Sequence, residues 1–339
     1  MDTARLTSAG RLLAWGGRRL AGLVAVAWAA ATLSFLALEL LPGDPVDALL
    51  GPNVGATPQL RATIREQLGL DEPLPVRYLG FLARLAVLDL GRSYRLGRPV
   101  ADVIGEKLPP TLELAAGASV VVAVLALVLT IAGGAARPAG RRVVSTIALV
   151  GSSTPAFWVG LLLLSVFSFQ LRLLPATGSG SPSALVLPAI TLGLPIGCVL
   201  GQVMLRSLED AERRPFWLSV RARGRSRFGA VARHGLRHAA IPATTLAGWA
   251  VAGFVGGAVL VETVFARAGL GRALVDAVVT RDVPVITGIV LVSAIAFAVA
   301  TTAVEALAPI VDPRLRRDRD GGRRRPDGRP LAPAQEVTA

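Results

Sequence analysis

The segment from Arg206 to Ala240 is basic and polar, yet it lies between two long apolar runs. It holds nine arginines and three acids. Moving one arginine to the centre of a bilayer costs about 3 kcal/mol on insertion scales, so burying all nine would cost on the order of 25 kcal/mol. The chain must therefore fold so that this segment stays outside hydrocarbon, where it is a candidate docking surface.

Composition places the chain in the membrane class. Of its 339 residues, 53% are hydrophobic and 17% are charged, which is too apolar for an ordinary soluble domain. The net charge of +13 is divided among segments that flank apolar runs, and aromatic residues make up only 5%. We therefore expect no nucleic-acid partner and an attraction of the basic segments to membrane lipids. Cys198 is the only cysteine, which excludes a disulfide framework.

A window of about 20 residues finds six candidate transmembrane helices. They cover residues 20–41, 112–135, 143–169, 186–205, 241–265 and 284–310. The first run follows two arginines, as in a signal peptide, but it is longer than the usual apolar core of one, so we interpret it as a retained anchor. The sequence thus predicts an all-α integral membrane protein.

The distribution of basic residues predicts the orientation. Four arginines lie in residues 1–19, three in 137–142, nine in 206–240 and eight in the tail 311–339, against one and three in the short loops between. Both termini and the loop 206–240 are therefore predicted to be cytoplasmic. The loop 42–111 is then extracytoplasmic, and the tail, rich in Arg, Asp, Gly and Pro, is predicted to be a disordered basic segment.

Small residues and prolines inside the spans predict helix packing and helix breaks. Gly193, Gly197 and Gly201 recur every four residues, as do Gly253 and Gly257, a spacing typical of close helix approach. Prolines and hydroxyl residues loosen a helix, and such breaks are tolerated mainly beside a neighbour or a water-filled path. The candidates for lining a path or breaking a helix are Ser153, Thr154, Pro155, Pro195 and Gln202.

No source of energy is visible in the chain. Lys107, the only lysine, is followed by Leu108 and two prolines, so there is no P-loop, and no HExxH or GxSxG motif occurs. His234 and His238 are four residues apart, but no carboxylate lies near them to complete a metal site. We therefore predict no catalytic, cofactor-binding or metal-binding residue.

The acids of the spans argue against ion coupling. Glu39, Glu113, Glu262 and Glu305 all fall near span ends, whereas proton or sodium coupling favours ionisable groups near the midplane. A pore-forming subunit driven by another protein is the favoured interpretation. A self-sufficient secondary transporter or channel is the alternative, and a membrane enzyme or scaffold is a distant third.

Nine sequence blocks together resemble one family. They are LPGDPV (41–46), LGLDEPLPVRYL (68–79), DLGRSYRLGRPV (89–100), LPPTLELA (108–115), STPAFWVGLLLL (153–164), LPAITLGL (187–194), GGAVLVETVF (256–265), GLGRALVDAVVTRDVPV (269–285) and VDPRLR (311–316). From about Leu33 to Arg316 the chain resembles the membrane permeases of binding-protein-dependent ABC importers, in the dipeptide, oligopeptide and nickel group. The residues that match its motif positions include Pro42, Gly43, Asp44, Pro45, Glu262, Gly269, Gly271, Asp312 and Pro313.

The resemblance implies a type I ABC importer permease fold whose loop over residues 215–234 couples to ATPase subunits. Gly224 would turn sharply between two short helices, and Phe228 with Val231 would offer an apolar stripe to a partner's groove. The implied coupling residues are Ser219, Val220, Arg221, Ala222, Arg223, Gly224, Phe228, Val231, His234 and Arg237. The chain departs from the family pattern at Pro215, at Arg267 with Ala268, and at Pro309.

The same resemblance implies a set of partners and a location. A second, similar permease would complete the path, as a heterodimer, and two ATP-binding subunits would hold the ATP and Mg²⁺, so that this chain binds no cofactor. An extracytoplasmic binding protein would deliver the cargo to a multi-pass protein of the bacterial cell membrane. Peptides are the favoured cargo, with nickel chelates, other small metal complexes, opines and oligosaccharides left open.

Overall fold

The computed structural model describes residues 6–40, 46, 57–67, 69–224 and 226–311, which form helices and no strand. In chain order the helices are α1 Leu6–Glu39, α2 Pro58–Gln67, α3 Leu74–Ala86, α4 Val100–Ala135, α5 Pro138–Ser153, α6 Ala156–Leu163, α7 Pro182–Glu212, α8 Pro215–Ala222, α9 Arg227–Ala230, α10 Leu236–Val264, α11 Leu270–Val279 and α12 Val283–Val311. Two of them continue as π-helical turns, α6 over Leu164–Gln170 and α9 over Val231–Gly235. Outside the described residues lie the predicted motif positions Pro42, Gly43, Asp44, Pro45, Asp312 and Pro313, and the tail 312–339.

Length and apolar composition make several of these helices able to cross a membrane. Four helices, α1, α4, α7 and α12, each contain a stretch that is long and apolar enough by itself. Two bent pairs raise the number to six if each pair is one span: α5 with α6, and Arg227–Thr244 with Gly248–Val264. The prediction of an all-α membrane protein is thereby confirmed.

The third predicted span is broken at a right angle. The axes of α5 and α6 differ by 100°. Thr154 between them has an extended backbone, with φ −80° and ψ 127°, because the ring of Pro155 disfavours a helical conformation in the residue before it. Pro155 also lacks the N–H that would continue the helix. The continuous run of residues 143–169 that the sequence suggests is therefore two helices.

Helix α7 packs closely against α4 along the predicted glycine stripe. A Cβ on Gly193 would lie 2.8 Å from the carbonyl oxygen of Ala118, and one on Gly201 would lie 2.8 Å from Cδ1 of Leu129. On the neighbouring side, a Cβ on Gly257 of α10 would lie 2.5 Å from Cδ1 of Leu192. The predicted close approach of these helices is confirmed, and α7 is the shared centre of the bundle.

The first helix packs on the last one. Ser34 of α1 donates a hydrogen bond to Thr287 of α12 at 3.3 Å, and Arg19 forms an ion pair with Glu305 nearer the other end of the two helices. On the far side of α1, the ring of Phe35 packs against that of Tyr78 in α3, with centroids 5.4 Å apart. This pairing joins the long segment after α1 to the bundle.

One end of the bundle, which we call the basic end, gathers arginines from several elements. Arg141 at the start of α5 donates to the carbonyls of Gly133 and Gly134 at the end of α4. Its guanidinium also lies 3.0 Å from Glu212 and 3.6 Å from Glu209 at the end of α7. The opposite end carries α3, the loop 87–99 and the turn between α10 and α12.

We predict that Gly193→Ala lowers the stability of the bundle, because the new Cβ would press on the main chain of α4. Overpacking of this kind typically costs about 1–3 kcal/mol. The readout is the midpoint of thermal unfolding in detergent. Gly105→Ala is the matched control, since its Cβ would meet nothing within 4 Å and alanine favours the helix. Equal midpoints for the two variants would contradict the packing of α4 on α7.

Candidate functional site

The segment between α7 and α10 folds into two short helices at the basic end. Pro215 begins α8, a position where proline's missing N–H costs nothing. Gly224 then adopts φ +71°, a left-handed conformation that glycine adopts without strain, so the predicted turn is confirmed. Ser226 starts α9 by accepting a hydrogen bond from the N–H of Gly229 at 3.2 Å.

The inner face of this segment is anchored in the hydrophobic core. Trp217 and Val231 are buried, and they belong to one cluster with Met204 and Leu208 of α7 and Ala126 of α4. The segment is therefore in direct contact with α4 and α7, and a displacement of the segment would displace both helices.

The outer face combines apolar and basic side chains, and we call it the loop surface. Leu218 is 70% exposed and Phe228 is 60% exposed. The loop surface consists of the exposed residues Leu218, Ser219, Ala222, Arg223, Arg227 and Phe228. Val231, expected beside Phe228, is only 1% exposed because it packs against α4 and α7, so that expectation is wrong. The side chain of Arg221 lies outside the described atoms, and Val220 is partly buried against the core.

The histidines and the remaining arginine of this segment take different positions. The ring of His238 packs against Phe216 with centroids 4.9 Å apart, while His234 is half-buried and Arg237 is exposed. No group of three or more His, Cys, Asp or Glu that could hold a metal ion occurs among the described residues. His238 thus contributes a ring packing contact to the segment.

The break between α5 and α6 brings together three of the predicted path residues. Ser153, Thr154 and Pro155 line an open concavity with Phe157 and Trp158. The two other candidates lie apart from it on α7. The side-chain amide of Gln202 donates to the carbonyl of Ala148 at 3.1 Å and to the hydroxyl of Ser152 at 2.9 Å, which holds the end of α5 against α7. Pro195 is half-buried within that helix.

Three predicted motif residues form one cluster at the opposite end. Glu262 is fully buried, and it accepts hydrogen bonds from the hydroxyl of Thr111 at 2.6 Å and from the N–H of Gly271 at 2.7 Å. A Cβ on Gly269 would lie 2.2 Å from the Glu262 carboxylate, and one on Gly271 would lie 2.5 Å from Cα of Val259. Only glycine fits at these two positions, so the cluster fastens the turn after α10 to Thr111, about three turns into α4.

Asp282, which the sequence reasoning did not single out, joins two distant motif blocks. It is 3% exposed and accepts hydrogen bonds from the hydroxyl of Ser93 and from the N–H groups of Tyr94 and Arg95. Burial raises the pKa of the neighbouring Tyr94 phenol above its ordinary 10.0, so the phenol stays neutral. The two blocks were recognisable in the sequence, but nothing in it indicated that they touch.

Arg267, visible in the sequence only as a departure from the family pattern, is a buried cation. It is 1% exposed, and its guanidinium donates to the carbonyls of Pro110 and Ala184 at 3.3 and 3.5 Å. Its pair with Glu113 is 3.4 Å long, and its Nε has no hydrogen-bond partner among the described residues. The side chain therefore lies where the starts of α4 and α7 meet the turn after α10.

We predict that Glu262→Gln destabilises the opposite end, because an amide has one acceptor oxygen where both carboxylate oxygens accept from the donors of Thr111, Gly271 and Arg272. A buried donor left unsatisfied costs about 1–3 kcal/mol. Limited proteolysis between α10 and α11 should become faster, and thermal unfolding should begin at a lower temperature. Glu72→Gln at an exposed position is the control and should leave both unchanged. Resistance equal to that of the wild type would argue against the buried cluster.

We predict that Asp282→Ala releases the loop around Tyr94 from the start of α12. The N–H groups of Tyr94 and Arg95 then lose their acceptor, so their hydrogen exchange should accelerate by tenfold or more, as expected for about 1.4 kcal/mol. Mass spectrometry of peptides covering residues 93–97 measures the change. Asp276→Ala, an exposed position on α11, is the control. Slow exchange that persists in Asp282→Ala would show that the loop is held by other contacts.

Two family models match almost the whole chain. Residues 12–115 match the N-terminal region of binding-protein-dependent transport system membrane components. Residues 126–317 match the binding-protein-dependent transport system inner membrane component. The second match contains α5 to α10, and with them the loop surface and the break.

Curated relatives agree with these matches. The glutathione transport system permease protein GsiC of Salmonella choleraesuis strain SC-B67 is 36% identical over 300 residues, which cover 88% of this chain and 97% of the relative. GsiC of Escherichia coli strain K12 is 36% identical over 304 residues, with the same two coverages. The similarity therefore extends over the full length of these relatives.

Proposed function

This chain belongs to the binding-protein-dependent transport system inner membrane components, and we propose that separate ATPase subunits drive it by gripping the loop surface. It is a permease subunit of an ABC importer in a bacterial inner membrane, and it is not an enzyme. Family membership implies a binding protein and ATPase subunits as partners. ATP and Mg²⁺ would be held by those ATPase subunits.

The observation that carries the proposal is that α8 and α9 pack one face against the core and expose the other. Leu218 and Phe228 project outward among arginines, and exposed apolar side chains of this kind suit a partner's groove. Arg223 and Arg227 can pair with acids around such a groove. On the inner face, Trp217 is locked into the core, so movement of the partner becomes a rigid-body tilt of the membrane helices.

The charge distribution supports a cytoplasmic basic end and cytoplasmic termini. Short loops rich in arginine remain on the cytoplasmic side, and the segments 137–142 and 206–240 both lie there under this orientation. The opposite end then faces the binding protein, with the loop 87–99 as its contact. Asp282 would pass the effect of docking on that loop to α12.

The cargo we propose is a peptide or a related small solute. The relatives named above carry glutathione in their names, and glutathione is a small peptide. Nickel chelates and oligosaccharides remain alternative cargoes. We further propose that a second, homologous permease completes the path as a heterodimer, as the family resemblance implies. A self-sufficient transporter or channel is the competing function.

The experiment that tests the function is reconstitution of the complete complex in proteoliposomes. Peptide uptake should require ATP, the ATPase subunits and the binding protein together. Uptake that persists without the ATPase subunits would favour the self-sufficient transporter instead.

We predict that Leu218→Ser combined with Phe228→Ser weakens docking of the ATPase subunits. Buried apolar anchors of this kind contribute about 2 kcal/mol or more to an interface, so affinity should fall by about 30-fold or more. Binding is measured by titrating purified ATPase subunit onto the detergent-solubilised permease, and uptake should fall in parallel. Leu173→Ser, which is 68% exposed in the loop before α7, is the control. Unchanged docking in the double variant would move the interface elsewhere.

A further inference from the structure

The break between α5 and α6 leaves main-chain carbonyls without partners. No described residue donates a hydrogen bond to the carbonyl of Gly151, Ser152 or Ser153. The helix that would have supplied donors stops at the break, since Pro155 has no N–H and α6 turns away by 100°. The end of α5 therefore presents a group of free acceptors with the partial negative charge of a helix C-terminus.

These carbonyls lie beside the part of α7 that the sequence predicts to span the membrane, residues 186–205. Gly151 packs against the middle of α7, where a Cβ built on it would lie 2.5 Å from Sγ of Cys198. Gln202, which holds the end of α5, is ten residues from the end of α7, or about 15 Å along its axis. A span of about 30 Å of hydrocarbon includes that level. Non-helical backbone at this depth is tolerated only where protein buries it or where it lines a water-filled cavity.

The surroundings of the break fit a cavity that receives a solute. The concavity is open and mainly apolar, with Leu149 and Val150 in its lining, and its polar groups include the exposed hydroxyl of Ser153, which has no hydrogen-bond partner among the described residues. Phe157, 46% exposed, and Trp158, 51% exposed, form an aromatic wall. None of the described lining residues is charged. Free carbonyls and an indole face both attract N–H donors and ammonium groups.

We propose that this concavity contacts the transported solute and takes an ammonium or amide N–H group of a peptide between the carbonyl of Ser153, which lines it at the end of α5, and the ring of Trp158. The inference rests on the proposed function, since it needs a peptide-like cargo. The carbonyl accepts a hydrogen bond from the solute, and the ring faces its positive charge. None of the described lining residues carries a carboxylate, so the contact is weak enough to release the solute again.

Selectivity for a free amine is the first test. In proteoliposomes containing the complete complex, uptake of a dipeptide is compared with uptake of its N-acetylated form. Trp158→Leu should reduce the preference for the free amine by about fivefold, the loss of one cation–π contact, and Trp158→Phe should restore part of it. Trp28→Leu on α1, where the ring is 55% exposed, is the matched control and should keep the wild-type preference.

Water access is the second test, and it does not depend on selectivity. A cysteine introduced as Ser153→Cys in a Cys198→Ala background should react with a membrane-impermeant, charged thiol reagent, and the dipeptide should slow the reaction. Val128→Cys, at an exposed apolar position on α4, should remain unreactive. A cysteine at position 153 that resists the reagent and crosslinks to the second permease would overturn the proposal, because the concavity would then be an interface between subunits.

The outcomes separate this inference from the proposed function. If the wild-type complex imports the dipeptide with ATP but Trp158→Leu keeps the full preference for the free amine, the solute contact is wrong and the importer stands. If the wild-type complex imports no peptide with or without acetylation, the peptide cargo and the solute contact are both wrong, while ATP-driven import of another solute would preserve the importer. A change in preference shared by Trp28→Leu would also contradict a specific role for Trp158.

Discussion

Hydrocarbon offers no hydrogen-bond partner, and the positions of the buried polar groups follow from that constraint. The hydroxyls of Thr130 and Thr191 are buried on long helices, and each donates to a carbonyl of its own helix, at 2.6 and 2.8 Å. The Glu262 carboxylate is surrounded by three donors. Arg141 and the arginines of the loop surface, Arg223 and Arg227, lie at the basic end outside the predicted spans.

The glycine stripe of α7 determines which helices of the bundle would move together. Close approach at Gly193 and Gly201 leaves no room for α4 and α7 to slide independently. Trp217 and Val231 fasten the loop surface to the same two helices. Gln202 of α7 donates to Ala148 and Ser152 of α5, so under the proposed coupling a tilt of α7 would also move the break.

Much of this architecture could be predicted from local sequence. Apolar run length locates the spans, glycine spacing indicates the packed faces, and the left-handed turn follows from Gly224. The motif residues Glu262, Gly269 and Gly271 are recognisable from their block, although their mutual contact is not. Local sequence patterns predict well the conformation that a residue favours within its own helix or turn.

The remaining features depend on contacts between distant segments. Asp282 meets Ser93 across 189 positions of sequence, and no periodicity indicates that pairing. Val231 looks like an exposed apolar residue beside Phe228 until the ends of α4 and α7 are seen to cover it. Thr154 and Pro155 predict a kink, but nothing in the local sequence gives its size of 100°.

The carboxylate of Asp282 fastens the loop 87–99, which lies outside the helices, to the start of α12. Leu96 lies on that loop and is 54% exposed. Because the loop and the start of α12 are fastened together, a fluorophore attached at position 96 would report the rotation of a membrane helix from an aqueous site. The conformational cycle could then be followed by single-molecule energy transfer without placing a dye inside the bilayer.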